Sequence, residues 1–465
     1  MRPPQTLRLL RPRLLPGIFA LAVLLRLVGA TFNLEANDPH VDVAEILAYE
    51  HRWPAYGEAW ESAQPRLYYA TVAVALQLLP RDRGSLHTLA AQLISCAAGI
   101  ATLLLVLSLL RELDLRERTL QLSFALVALN PKMIATSIQA TNDAFVILFG
   151  TLLLTGLWRY LRRPGWGAWL QAIAGMLLAC ASKGNGLPMA VIGGCLWLAA
   201  LLPRAAPRRR LFVGGAAALV AAIVFIPVAG GYWSTYQRSG DPFQTQMTAA
   251  FPPHFSDETL SRRPGITSVV DGFLTFRLAD LWRNPIISTS AMDYSANRTS
   301  LWSFAYASAH TQHYDNFPVS WRWQSESPLV RGVLRAIFLL ALLPTALLAW
   351  GIVCAAVRSV RALLRWQVDG TWVADSLLPA AALGMIAFLI LYAYQYRDYG
   401  CQKPIFIYPA AAALAALFAR ALDGLRSESR MQRLALATGA ALCAGYVADT
   451  VILDLGLALQ RLRLV

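Results

Sequence analysis

The sequence predicts an all-α integral membrane protein of about eleven transmembrane helices, with interfacial helices in its first outer loop. Three observations carry that fold class. Of 465 residues, 57% are hydrophobic and the mean hydropathy is +0.47, beyond the usual composition of soluble domains. The apolar residues form long blocks, such as Leu93–Leu110, rather than amphipathic stripes, and blocks of about 20 match a bilayer core. The net charge of +14 comes largely from arginine clusters that recur between the blocks.

The spans are read in order as 14–32, 86–110, 119–139, 143–161, 166–183, 187–202, 211–231, 332–354, 375–395, 404–420 and 433–454. Arginines cluster at Arg2, Arg8, Arg11 and Arg13, then at Arg111, Arg116 and Arg118, and then at Arg159, Arg162 and Arg163. They return at Arg204 and Arg208–Arg210, at Arg358, Arg361 and Arg365, and at Arg420, Arg426, Arg430 and Arg433. With the N-terminus in the cytoplasm, each cluster falls on the inner side, as the positive-inside rule requires. The basic excess then reports topology and contact with anionic membrane lipid; no nucleic-acid partner is implied. The apolar run Leu67–Leu79 is too short to span comfortably and would reverse every later cluster if it did. It reads as an interfacial helix.

This topology divides the chain into a transmembrane module at 1–231, a large outer loop at 232–331, and C-terminal helices at 332–465. Within the first part, residues 33–85 form a polar outer loop. Both loops face outward, and loops this long in a compact protein are functional or disordered; the second is too rich in tryptophan and tyrosine for disorder. No Walker or Rossmann glycine pattern occurs, which argues against a nucleotide-driven machine or a nucleotide-sugar enzyme. The six cysteines show no CxxC spacing and read as packing residues.

Candidate chemistry sits on the outer face. Loop one offers Asp38, His40, Asp42, Glu45, Glu58, Glu61 and Gln64. Asn142 and Asp143 occupy the short turn between the third and fourth spans. A carboxylate near the membrane surface is partly desolvated, which suits it to take a proton near neutral pH. The plain alternatives are a helix cap at Asp38 and a helix-dipole contact at Asp143. Lysine is rare: of 41 basic residues only Lys132, Lys183 and Lys403 are lysine, and all three map to outer ends of spans. A compact ammonium is a good partner for phosphate, and snorkelling is the alternative. His310 and His313 have i, i+3 spacing but read as solvated rather than as a metal pair.

The chain resembles the GT-C superfamily of membrane glycosyltransferases, especially bacterial relatives of protein O-mannosyltransferases and lipid A aminoarabinose transferases. The resemblance rests on "NDP" at Asn37-Asp38-Pro39, on "LAYEHRWP" ending at Pro54, and on "ESAQPRLYY" with Glu61, Gln64, Pro65, Tyr68 and Tyr69 in register. It continues through "NPKMIATSIQATNDAFVILF", with Asn142 and Asp143, and "SKGNGL", with Lys183. "SLWSFAY" is similar to the family's tryptophan-bearing outer segment. It covers residues 1–200 well and the remainder in layout. The chain departs from the pattern at Arg66, where a second proline is expected, and at Asn37, where an acid is expected. The C-terminal box is only echoed by "YRDYGCQKPIFIYP", which carries Arg397 and Lys403.

The resemblance implies a GT-C-like helical bundle and an inverting transfer of a sugar from a polyprenyl-phosphate donor to a lipid, glycan or protein acceptor, outside the cytoplasmic membrane. It assigns catalytic roles to Asp38, Asp143 and Glu61. Asn37, Gln64, Tyr68, Asn142, Lys183, Arg397 and Lys403 are expected to bind substrate. No organic cofactor and no protein metal site are expected, though a divalent cation bound with substrate is not excluded by the residues. A transporter, flippase or polymerase of lipid-linked envelope intermediates is the alternative reading, and a non-catalytic envelope scaffold is another.

Overall fold

A computed structural model describes residues 14–32, 39–55, 57–200, 208–244, 268–286, 300–311, 327–367, 370–396 and 402–464. Every regular element among them is helical, and no strand occurs. The chain opens with α1 (Leu14–Phe32), α2 (His40–Glu50), α3 (Leu67–Leu76) and α4 (Gly84–Arg111). It continues through α5 (Glu117–Ala128), α6 (Pro131–Ile138), α7 (Asp143–Arg162), α8 (Trp166–Ser182), α9 (Gly186–Ala199) and α10 (Arg208–Ala229). Four short helices follow: α11 (Tyr232–Ser239), α12 (Val269–Leu274), α13 (Leu278–Arg283) and α14 (Leu301–His310). The last part holds α15 (Pro328–Leu340), α16 (Leu342–Leu364), α17 (Gly370–Tyr396), a 3₁₀ turn at Pro404–Ala410, α18 (Ala411–Asp423) and α19 (Arg430–Leu464).

Eight segments among the described residues are long and apolar enough to cross a membrane, so the expected count of eleven is not reached on that measure. The difference lies in three places. Helices α8 and α9 have 17 and 14 residues, about 26 and 21 Å at 1.5 Å per residue, short of a hydrocarbon core of about 30 Å. The third expected span is broken between α5 and α6. Pro131 has no N–H and its ring excludes a carbonyl four residues back, and Asn130 before it takes an extended ψ of 123°. The side chain of Asn130 then caps α6 by accepting from Met133 N at 3.0 Å.

A broken helix inside an apolar bundle leaves carbonyls without donors, which is costly where water is absent. Arg26, fully buried in α1, supplies one. Its Nη1 donates to Ala22 O and Ala128 O, both at 2.9 Å, and its Nε donates to Ser137 Oγ at 3.3 Å. One side chain thus ties the first helix to both halves of the broken one.

The arginine clusters expected on one side do meet at one end of the bundle. Arg159 pairs with Glu112, Arg162 and Arg420 share Asp375, and Arg116 pairs with Asp423. Trp158 lies between the guanidinium groups of Arg162 and Arg420, 4.2 and 5.2 Å from its ring centre. This charged end is the C-terminal end of α7. Asp143 begins the same helix, about 30 Å away for 20 residues.

Candidate active site

The site is set by how closely α7 and α8 pack. They meet more extensively than any other pair. A Cβ on Gly175 would lie 2.2 Å from Leu153 N, and one on Gly156 would lie 2.5 Å from Ala172 N. The two backbones therefore touch, as small residues permit between membrane helices. A three-residue turn, Arg163 to Gly165, joins the helices, so the start of α7 comes beside the end of α8. That geometry delivers Asp143 to Lys183.

Lys183 Nζ lies 2.8 Å from Asp143 Oδ1, with side chains 16% and 12% exposed. Asp143 is held by its own turn: its Oδ2 accepts from Thr141 Oγ1, and its N–H donates to the same oxygen, both at 3.2 Å. His40 and Lys403 also lie near enough to interact with its charge. Residues from four separate stretches of chain thus converge on one carboxylate. Phe406, on the 3₁₀ turn after Lys403, stacks its ring 5.9 Å from the Lys183 ammonium.

Beside this pair opens a cleft of about 500 Å³. Gln64, Lys183, Asn185, Tyr232, Tyr392 and Phe406 are among its walls, giving the mostly apolar surface with a few converging polar groups that ligand sites show. Two asparagines here break the rule that buried polar groups are bonded. Asn142, fully buried, and Asn185, which lines the cleft, have no hydrogen-bond partner among the described residues for either side-chain polar atom. Each stands just before a helix without capping it. Asn185 was not among the residues singled out from sequence; within "SKGNGL" it reads as ordinary turn chemistry, and only its burial distinguishes it.

Loop one supports the site through α2 and α3, which pack together and on α4. His40 Nδ1 lies 2.8 Å from Tyr69 Oη and its ring stacks on Tyr69. His87 on α4 is buried, with Nδ1 2.6 Å from Glu45 Oε1 and Nε2 2.9 Å from both Pro80 O and Tyr49 Oη. Burial and then Glu45 raise the pKa of Asp42. Glu58 is instead drawn down to about 2 by Arg52 and the Ala55 N–H. Glu61 is buried, and its Oε2 has no partner among the described residues.

Of the residues singled out from sequence, Asp143, Lys183 and Lys403 converge, Asn142 adjoins them, and Gln64 lines the cleft. Tyr68 takes another direction. Its hydroxyl faces Ala91 O and Ser95 Oγ, each at 3.3 Å, and its ring packs edge-on against Phe145. Asn37, Asp38, Arg397 and His313 lie outside the described residues; His40, two residues after Asp38 in sequence, interacts with the charge of Asp143. Among the described residues no three His, Cys, Asp or Glu side chains gather as a metal set. Both nitrogens of His310 face hydroxyls, those of Tyr446 and Thr345.

Residues 82–232, which include Asn142, Asp143, Lys183 and Asn185, match the family model described as dolichyl-phosphate-mannose-protein mannosyltransferase. The GT-C resemblance read from the motifs is supported over this region. No curated protein matches the chain in sequence. Among solved structures, the chain is similar to ArnT from Cupriavidus metallidurans bound to undecaprenyl phosphate, at 12% identity over 95% of this chain and 75% of that one, with a TM-score of 0.49. The apo state of the same protein gives 14% identity, coverage of 87% and 77%, and a TM-score of 0.38. The S. cerevisiae protein O-mannosyltransferase Pmt1-Pmt2 complex bound to the sugar donor gives 16%, 54% and 36%, and 0.37. At such identities and scores no residue correspondence follows.

Proposed function

We propose that this chain is an inverting glycosyltransferase that moves a sugar from a polyprenyl-phosphate donor to an acceptor hydroxyl or phosphate oxygen at the outer face of the cytoplasmic membrane. The observation that carries the reading is the Asp143–Lys183 pair, set in a cleft beside unbonded Asn142 and Asn185 and near Lys403, within the region matching the mannosyltransferase family. A lysine cation suits a phosphate leaving group, and orphaned amides suit sugar hydroxyls, which both donate and accept. The described relatives bound to undecaprenyl phosphate and to a sugar donor are consistent with the donor class.

In this reaction the acceptor oxygen attacks the anomeric carbon from the face opposite the phosphate. The carbon–oxygen bond to phosphate breaks, and polyprenyl phosphate leaves with the electron pair. A phosphate leaves without being protonated, so one base suffices, in contrast to the acid–base pair of a glycosidase. Asp38 takes the acceptor proton. Lys183, with Lys403 and Arg397, holds the charge growing on phosphate. Asp143 orients Lys183, while Glu61 and Gln64 orient the sugar or acceptor. A divalent ion, were one used, would be held by carboxylates such as Asp143 and Glu61 and would supply positive charge for the leaving phosphate, which adding chelator to the assay tests.

The test is transfer from a synthetic polyprenyl-phosphate sugar by the purified chain in liposomes. Asp38→Asn is expected to lower turnover by about 10³-fold or more with folding unchanged, and the product is expected to carry the inverted anomeric configuration. Near-normal transfer by Asp38→Asn, or a retained anomer, refutes the assignment.

A further inference from the structure

Arg66 stands where the resembling motif has a second proline, and the fold is built around it. Its side chain runs against Gly231, whose φ of 77° and missing Cβ leave the room; a Cβ there would sit 2.7 Å from Arg66 Nε. Nη2 donates to Ser234 Oγ at 2.5 Å, and the guanidinium lies over Trp53, 4.6 Å from its ring centre. Arg238, one turn beyond Ser234 on α11, donates from Nη1 to Pro54 O at 3.4 Å. Both guanidinium groups therefore reach the same Trp53–Pro54 segment.

All of these partners are neutral. Among the described residues neither guanidinium forms a salt bridge: Glu58 binds Arg52, and Asp241 Oδ1 accepts from Phe243 N–H. Burial and then the charge of Arg238 lower the pKa of Arg66, so the two cations repel each other, and among the described residues no carboxylate pairs with either. Holding two like charges together in a partly dry place is unfavourable. The arrangement suits an anion that arrives from outside. Its position fits that role, because Gln64 and Pro65 beside Arg66, and Tyr232 and Asp241 on either side of Arg238, line the candidate cleft.

We propose that Arg66 and Arg238 form an anion-binding site at the edge of the cleft that takes a phosphate ester carried by the acceptor. This rests on the transferase reading for the word acceptor, while the anion site itself does not. Two guanidinium forks match the oxygens of phosphate better than a single ammonium does, and Lys183 remains for the donor phosphate. The acceptor is thereby a phosphorylated lipid or a phosphorylated polar molecule rather than a neutral hydroxyl compound.

The experiment measures binding to the full-length chain without any donor, so its outcome is independent of whether transfer occurs. Two probes are used: phosphatidic acid in nanodiscs against phosphatidylcholine alone, read by native mass spectrometry, and glycerol 3-phosphate in solution, read by calorimetry. At least one probe is expected to bind the wild type. Arg66→Gln and Arg238→Gln should each weaken it by about tenfold or more, and Arg66→Lys should fall between, keeping charge without the fork. Arg283→Gln, at an exposed arginine on α13 that does not line the cleft, should leave it unchanged. Binding of phosphatidic acid alone assigns a lipid headgroup; binding of both probes assigns a polar phosphate ester. Arg238 is exposed on α11, so its variant keeps the test interpretable where Arg66→Gln disturbs folding. Absence of binding in both arms, wild-type binding by both glutamine variants, or loss of binding in Arg283→Gln overturns the proposal.

Discussion

Replacing Lys183 by Met separates what the Asp143–Lys183 pair does for folding from what it does for chemistry. The charges are 2.8 Å apart, a gross attraction of about 6 kcal/mol at an effective dielectric of 20. Desolvation of both groups consumes much of that, so the net worth of the pair is smaller. Losing the ammonium alone strands the carboxylate of Asp143, which is 12% exposed. Stranding a buried charge costs about 3–5 kcal/mol, and the slight exposure places the expected loss near the lower figure. The double variant Asp143→Asn/Lys183→Met strands nothing and should regain most of that stability. Transfer should not follow: without the ammonium, the departing phosphate loses about 3–4 kcal/mol of stabilisation, or 10²–10³ in turnover. Thermal unfolding in detergent and transfer in liposomes are measured on wild type, both single variants and the double. Transfer by Lys183→Met within about threefold of wild type would sink the phosphate-holding role. Recovery of transfer in the double variant would reduce the pair to a structural one.

Two further outcomes follow from the packing and from His310. Gly175→Ala places a Cβ 2.2 Å from Leu153 N, where backbone must move; a stability loss of about 1–3 kcal/mol is expected, with transfer reduced further than stability alone explains, because α8 carries Lys183 away from Asp143. Unchanged melting and transfer in this variant would contradict the packing described. Burial holds the pKa of His310 down to about 4 from 6.5, so the folded state refuses a proton that the unfolded chain accepts. Stability should therefore fall as pH drops from about 6.5 toward 4, by at most about 3 kcal/mol and less where the ring keeps some water. His310→Gln should flatten that slope in melting curves recorded between those values, and a slope of the opposite sign refutes the neutral, buried imidazole.

Much of the fold was legible because bilayer thickness writes itself into the chain. The blocks at 14–32, 86–110, 143–161 and 375–395 reappear as helices within a few residues of where hydropathy placed them. The break at Leu129–Asn130 was less legible. Pro131 was visible, but whether a proline kinks or divides a helix depends on what meets the freed carbonyls, and Arg26 lies about a hundred residues earlier. The site followed the same division. Topology placed Asp143 and Lys183 on one side, whereas their contact depends on Gly156 and Gly175 letting two backbones touch. Tyr68 belonged to a motif, yet its ring fills the space between α3, α4 and Phe145. Motif membership identifies a residue type that the fold requires without saying which way it points.

The two ends of α7 differ in a way that bears on function. At the C-terminal end, arginines and acids satisfy one another: Arg159 with Glu112 and Gln171, Arg162 and Arg420 with Asp375, and Trp158 closing the stack. At the N-terminal end, two buried asparagines and one oxygen of Glu61 lack partners among the described residues, and Arg66 and Arg238 both reach the Trp53–Pro54 segment with no described carboxylate paired to either. An unbonded buried amide costs about 1–3 kcal/mol, so a polar ligand that met these groups would recover part of that cost. A scaffold that docks through its surface has no need of orphaned groups sunk beside a cleft, and a conduit would place them along a path rather than at one mouth. The pattern fits the proposed pocket for a phosphate-bearing polar ligand better than it fits either alternative.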